Sequence, residues 1–409
     1  MIDYYETKSQ PITRLMVWQA YKEVKSNAGS GGIDKMSWEY LQKNASTELY
    51  MLWNRLSSGS YFPKAVKQVA IPKKGGGVRH LGIPTLLDRI AQQVVRKHLE
   101  RIIEPKFHKS SFGYRPGRNC HQAVQQALDN SYNHDFAIDL DIKGFFDNID
   151  HELMMKALKY YCSDKWVLMY VERWLKAGVL QTNGEFKPTE TGTPQGGVIS
   201  PLLANLFLHV VFDKWMDKYH PEKPFERYAD DIIVHCKSEA QVKFMLRQIQ
   251  ERLNSCKLQL HPEKTKIVNL RGYSQTKYPK GFDFLGFTIH PRAYKVKGTG
   301  KTKSIPCISV SQKSKTSIMQ KFKEMNLHKR RGELAEIAKA INPVLRGIIN
   351  YYHYFWEDDM REVWRQLNIR LLKWVKWEKD LYKKACVRYL KTKYKEKPNL
   401  FAHWLLVYP

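Results

Sequence analysis

The sequence predicts an α+β domain built around an antiparallel sheet, followed by a separate all-helical domain. Three observations carry this. Two adjacent acids in Tyr228-Ala229-Asp230-Asp231 lie between Phe225-Glu226-Arg227 and the β-branched run Ile232-Ile233-Val234, the pattern of strand, turn, strand. Strand-like and helical stretches alternate up to about residue 290. Beyond about 318 the apolar spacing is helical to the end, with no period-two alternation.

Residues 11–60 read as helices interrupted by the Gly/Ser loop at 26–32. The alternating run 66–72, the turn Lys73-Lys74-Gly75-Gly76-Gly77 and the run 78–81 predict a basic hairpin. Residues 85–104 place Leu86, Ile90, Val94 and Leu99 at helical spacing. A Gly/Arg/Pro loop spans 110–119, a helix starts near His121, and Ala137-Ile138-Asp139-Leu140-Asp141-Ile142 reads as a strand. Residues 151–176 and 201–216 read as helices around a Gly/Pro loop at 192–197. After the hairpin at 230 come a helix at 238–254 and strands near 258–268 and 281–290. Residues 291–317, rich in Lys, Ser and Thr, read as a linker or long loop. The domains expected are therefore 1–290, the linker, a helical domain at 318–390, and a short basic tail at 391–409.

The chain has 409 residues and a net charge of +28, the footprint of a polyanion-binding protein. Residues 291–409 hold 27 Lys+Arg against 10 Asp+Glu, a net of +17. The six cysteines include no Cys-x-x-Cys pair, which argues against a zinc ribbon and suits a reducing compartment. The N-terminus lacks a signal-peptide core, and no apolar run is long enough to span a membrane. The expected location is the cytoplasm.

Adjacent carboxylates on a turn repel each other and call for a cation, and hard oxygen ligands suit Mg²⁺. A further acid on the strand near 140 completes the arrangement that a two-metal polymerase needs. Asp139 and Asp141 share a pleat face, so periodicity does not choose between them. Asp141 is preferred because the turn Lys143-Gly144-Phe145-Phe146 after it can shape a nucleotide pocket. Asp147 and Asp150 read as the start of the next helix. Thr193-Pro194-Gln195-Gly196-Gly197 is either a close-approach loop for a ligand or a helix-entry turn. Lys73, Lys74 and Arg79 can hold a triphosphate. In the C-terminal part, Val363, Leu367, Leu371 and Trp374 predict a buried helix face, with Lys and Arg on other faces open to phosphate.

Taken in order, several blocks resemble the reverse transcriptases, or maturases, encoded by bacterial group II introns. They are Ile71-Pro72-Lys73 through Arg79-His80-Leu81-Gly82-Ile83-Pro84, Phe112-Gly113-Tyr114-Arg115-Pro116, Asp141-Ile142-Lys143-Gly144-Phe145-Phe146-Asp147, and Thr193-Pro194-Gln195-Gly196-Gly197 with Ser200-Pro201-Leu202-Leu203-Ala204-Asn205. Tyr228-Ala229-Asp230-Asp231, Phe284-Leu285-Gly286-Phe287, and Leu345-Arg346-Gly347 with Asn350-Tyr351-Tyr352 continue the series.

The resemblance implies a right-hand polymerase, with fingers and an antiparallel palm over 1–290 and an all-α thumb, or maturase domain, after it. It implies two Mg²⁺ ions, with Mn²⁺ as a substitute, on Asp141, Ile142, Asp230 and Asp231. Lys73, Arg79 and Gln195 would contact the incoming dNTP, and Phe146 would be the gate against a 2′-hydroxyl. Leu285, Gly286 and Phe287 would grip the primer, and Arg115, Lys264, Arg346, Arg365, Lys373 and Lys376 would touch nucleic acid. The loop near 26–34 would cover the template, but Lys35 stands where glycine is common. The implied partners are intron RNA, an RNA template–DNA primer duplex, target DNA and dNTPs. No membrane partner is implied, nor is the zinc endonuclease that many relatives carry. Two other readings share parts of this pattern. One is a non-catalytic RNA-binding splicing factor, which needs no acids; the other is a domesticated or defence-associated reverse transcriptase.

Overall fold

The computed structural model describes residues 6–408 apart from 73–75, 272–276, 296–301 and 356–357. The chain falls into two compact units, Met1–Ala123 with Ile138–Lys266, and Val124–Ala137 with Ile267–Pro409.

The first unit opens with α1 (Arg14–Ser26), α2 (Trp38–Lys43) and α3 (Ala45–Ser58), followed by β1 (Val66–Pro72) and β2 (Val78–Ile83). Next comes α4 (Leu86–Ile103), entered through Thr85, whose hydroxyl accepts the Asp88 N–H. Helix α1 packs on α3 and α4 through the stripe Val17, Ala20, Tyr21 and Val24. The chain then forms α5 (Cys120–Ser131) and β3 (Phe136–Leu140), of which residues 124–137 belong to the second unit, and returns to the first with α6 (His151–Tyr161) and α7 (Lys165–Leu175). Asp150 caps α6 by accepting the Leu153 N–H at 2.9 Å, the helix-start role its sequence position predicts. Short strands β4 (Val179–Leu180) and β5 (Phe186–Lys187) precede α8 (Ser200–Leu208), a π-helical turn at His209–Asp213, and α9 (Lys214–Tyr219). The hairpin β6 (Phe225–Tyr228) and β7 (Asp231–Cys236) and the helix α10 (Glu239–Ser255) follow.

One sheet runs in the order β2-β1-β4-β5, its first pair antiparallel and the next parallel. Another sets β6 antiparallel to β7 and β7 beside β3. Its remaining strand, β8 (Lys266–Asn269), begins in the first unit and continues into the second. The strand expected from 258 is shorter than that. Before Lys266 only an isolated bridge, Ile142 to Leu260, pairs.

The second unit contains β9 (Phe282–Phe284), β10 (Phe287–Lys295) and β11 (Thr302–Val310) in the antiparallel order β11-β10-β9. Helices α11 (Gln312–Glu324), α12 (Leu334–Tyr352), α13 (Arg361–Lys379) and α14 (Lys383–Glu396) follow. This corrects the linker expected at 291–317. Pro306, Ile308 and Val310 are buried on alternate positions of β11, while Lys303, Ser304 and Ile305 lie more open. Period-two alternation, not loop composition, governs the segment.

The segment after 391 is not a tail either. Its first residues complete α14, and Phe401, His403 and Trp404 are buried. Asn342 of α12 clamps the segment, donating to the Leu400 carbonyl at 2.9 Å and accepting the Ala402 N–H at 3.0 Å. Two large rings placed to leave water explain the packing. Among the described residues, no helix is long and apolar enough to cross a membrane.

Candidate active site

The turn between β6 and β7 leaves Ala229 and Asp230 as its two central residues, since Tyr228 pairs with Asp231. Ala229 adopts φ +57°, a left-handed conformation that costs a side-chain-bearing residue energy. Its neighbours hold it there. Arg227, fully buried, donates to the Ala229 carbonyl at 3.1 Å, to Asn205 Oδ1 at 2.9 Å, and to both oxygens of Asp213 at 2.8 and 2.6 Å. Burial alone would raise the Asp213 carboxyl, but the Arg227 charge overrides it and the net shift is downward. Removing one partner of such a pair leaves an uncompensated charge, at a cost of about 3–5 kcal/mol. On the other side Gly113 presses on the turn, so that a Cβ there would stand 2.5 Å from the Ala229 nitrogen. Asn205 Nδ2 donates to the Gly113 carbonyl at 2.6 Å and locks that loop down.

Asp141 directly follows β3, and its backbone is tied at both ends. Its N–H donates to Thr265 Oγ1 at 3.3 Å and its carbonyl accepts the His261 N–H at 2.7 Å. Ile142 is buried, and the next N–H, that of Lys143, donates to Gln259 at 2.8 Å. Burial pushes the Asp230 carboxyl up. Its own backbone hydrogen bond opposes this, the Asp141 charge adds to it, and Arg79 and Arg227 offset part. The Asp141 charge thus bears on Asp230 as a like charge, the condition a divalent cation relieves. Lys264 Nζ now supplies part of that charge, 3.2 Å from Asp141 Oδ2. Asp231 is exposed at the first position of β7. Among the described residues, no three His, Cys, Asp or Glu side chains are grouped to hold a metal ion.

Loop 191–197 is fastened on two sides. Toward the 145–150 turn, Gly192 N–H donates to Ile149, Thr193 N–H to Phe146, and Thr191 Oγ1 to Asp147, all backbone carbonyls at 2.7–3.1 Å. Toward β2, the Gly82 N–H donates to the Gln195 carbonyl at 2.8 Å. Gly196, at φ +122°, lies so close that a Cβ would be 2.5 Å from the Gly82 oxygen. The Gln195 amide bridges the gap. It accepts from Arg79 Nε at 2.7 Å and donates to the Asp147 carboxylate at 3.2–3.3 Å. An exposed relay of cation, amide and carboxylate results, with Phe146 half-buried beside it. Asp147 also lines a cavity of about 470 Å³ with Gln68, Gln181 and the 187–194 segment.

Residues 71–289 match the reverse transcriptase (RNA-dependent DNA polymerase) family, and residues 315–400 match the group II intron maturase-specific domain. This chain belongs to the group II intron-encoded reverse transcriptases. It is 33% identical to Protein YkfC of Escherichia coli over 300 residues, which is 64% of this chain and 76% of that protein. Against the group II intron-encoded protein LtrA of Lactococcus lactis it is 29% identical, over 81% of this chain and 68% of LtrA. Nuclear intron maturase 1 of Arabidopsis thaliana is 30% identical over 23% of this chain and 13% of its own length.

In this group II intron-encoded reverse transcriptase, Lys73 lies outside the described residues. Arg115, expected to touch nucleic acid, is engaged within its own loop. Its side chain is 6% exposed, pairs with Glu104 at 2.8 Å, and donates to the His108 and Ser111 carbonyls at 2.7 Å. That guanidinium is consumed in holding its own loop. In the second unit, Leu285 (φ +50°) and Gly286 (φ +84°) form a two-residue hairpin with both φ positive, the primed turn that suits strand twist. The Leu285 carbonyl accepts from Tyr351 Oη at 2.8 Å, and the Gly286 carbonyl from Ser311 N–H and Ser314 Oγ at 3.0 Å. Phe287 is buried against Tyr351, Tyr352 and Phe355, so it anchors the hairpin from within. Arg346, Arg365, Lys373 and Lys376 are exposed, and Arg365 lies 3.7 Å from Glu362.

Two features escaped the sequence reading. Asp147 does not start α6 but lies in a 3₁₀ turn facing Gln195. The only local hint was its place one turn after Asp141-Ile142-Lys143-Gly144. The buried Arg227–Asp213–Asn205 cluster had no local signal, because its members lie on three separate elements.

Proposed function

We propose that the chain is an RNA-directed DNA polymerase that extends a primer 3′ end with dNTPs, binds its intron RNA, assists splicing and supports intron mobility. The match of residues 71–289 to the reverse transcriptase family supports this reading, with Asp141 adding to the rise of the Asp230 carboxyl beside it as a second observation. Divalent cations, Mg²⁺ in our reading, would be held there with Asp231 and Ile142, where they would favour the primer alkoxide and neutralise charge on the transferred phosphoryl group. Arg79 and Lys73 bind the triphosphate, Arg79 by a planar fork and Lys73 as a point charge. Gln195, held between Arg79 and Asp147, fixes the nucleotide's orientation. Phe146 closes the sugar pocket. The Leu285–Gly286 hairpin contacts the primer. Lys264, now paired with Asp141, would give way to a cation bound there.

Primer extension on an RNA template, comparing parent with Asp230→Asn, tests this. Extension should fall by at least about a thousandfold, as expected when electrostatic stabilisation of the transferred group is lost. RNA affinity should hold. Extension at the parental rate by Asp230→Asn would falsify the assignment.

A further inference from the structure

The second unit has a cavity of about 320 Å³ between the end of α11, the turn at 327–329 and α13. Phe322 and Leu327, both buried, line its interior. Trp377 forms one wall and is 67% exposed, an unusual placement for an indole among charged neighbours. Arg370, Lys373 and Trp377 share one face of α13 by helical spacing, and Lys323 and His328 complete the lining from the other side. No carboxylate lines the cavity. Among the described residues these four basic side chains make no ion pair, and Arg370 Nε is buried without a hydrogen-bond partner. The framework is stiff, because Trp374 Nε1 donates to the Arg330 carbonyl at 2.9 Å and ties the turn to α13.

Unpaired like charges around a concave aromatic site call for an anion that also carries a flat ring. The volume is at the small end of ligand cavities, about 300–1,000 Å³, which suits one nucleotide and excludes a duplex. We infer that this cavity captures a single unpaired nucleotide of RNA, its base stacked on Trp377 and its phosphate held by Arg370 and Lys373. The inference rests on the RNA-binding reading above and adds a specific site to it.

The test uses the full chain and two RNA hairpins, one with a single bulged 2-aminopurine and one fully paired. The parent should bind the bulged hairpin about tenfold more tightly, the factor expected for one base–aromatic stack. Its 2-aminopurine fluorescence should fall on binding. Trp377→Ala should erase both the preference and the quenching and leave affinity for the paired hairpin unchanged. Lys373→Gln should reduce the salt slope of bulged-hairpin binding by about one. Equal parental affinity for the two hairpins overturns the pocket and spares the RNA-binding reading. Binding to neither overturns both. A preference retained by Trp377→Ala, or an unchanged slope in Lys373→Gln, also overturns it.

Discussion

Lys35 sits at φ +56°, a backbone conformation glycine adopts freely and lysine adopts at a cost of about 1 kcal/mol. The local geometry at this position is thus one that favours glycine. Asp141 and Asp230 were readable because apolar runs on both sides of each acid announce a strand or hairpin. Asp147 was not, since its partner Gln195 is 48 residues away. Exposed and internal arginines in a Gly/Pro loop look alike in sequence; only the carbonyls Arg115 meets mark it as internal. Phe146 touches Phe145 edge-on at 5.5 Å, so its ring is braced from one side. If it gates the sugar, Phe146→Ala should raise ribonucleotide incorporation by about tenfold or more, since a clash with the 2′-hydroxyl is removed. Single-nucleotide addition of rNTP against dNTP measures this, and unchanged sugar discrimination refutes the gate.

The 191–197 loop shows how much of the site is backbone held on backbone. Gly196→Ala forces a Cβ toward the Gly82 oxygen from a φ that disfavours side chains. Gln195 should shift with it, and nucleotide addition should slow by about tenfold to a hundredfold. Thermal unfolding of the rest should change little; steady-state kinetics beside a melting curve checks both. The Gly-rich spelling of this loop was legible, but the surface it meets was not, because β2 is remote in sequence. β11 hid for a different reason: polar residues on its open face gave it a linker's composition.

The end of the second unit carries a pH signature. His403 is fully buried, and burial depresses its pKa to about 3. Its Nε2 meets Asn368 Oδ1 at 2.8 Å, while Nδ1 has no partner, so a second proton would be stranded. Below about pH 6.5 the unfolded chain therefore takes a proton that the folded one refuses. Stability should be lost as pH falls from 6.5 toward 3, by about 1 kcal/mol per pH unit. Urea unfolding followed by tryptophan fluorescence at pH 7 and pH 5 should show the drop. His403→Leu should flatten it, and an equally steep dependence in that variant would count against the assignment.

Across the whole chain, charge and chemistry are unevenly divided. The acids and the Arg79–Gln195–Asp147 relay belong to the first unit, while residues 291–409 hold +17 of the +28 net charge. Such a surplus makes polyanion binding strongly salt-dependent, and it was visible from composition alone.

The pressing of Gly113 on the Ala229 turn bears on how the protein reaches its working form. The bond that locks the Gly113 loop joins residues 92 positions apart, and those that fasten Gln195 and Asp141 span 116 and 124. Contacts so distant in sequence form late, after the helices have closed their local hydrogen bonds. On dilution from denaturant, helical circular dichroism should therefore recover before primer extension does. The interval between the two is a period when a basic, partly assembled chain is open to capture by a polyanion before its proposed site is complete.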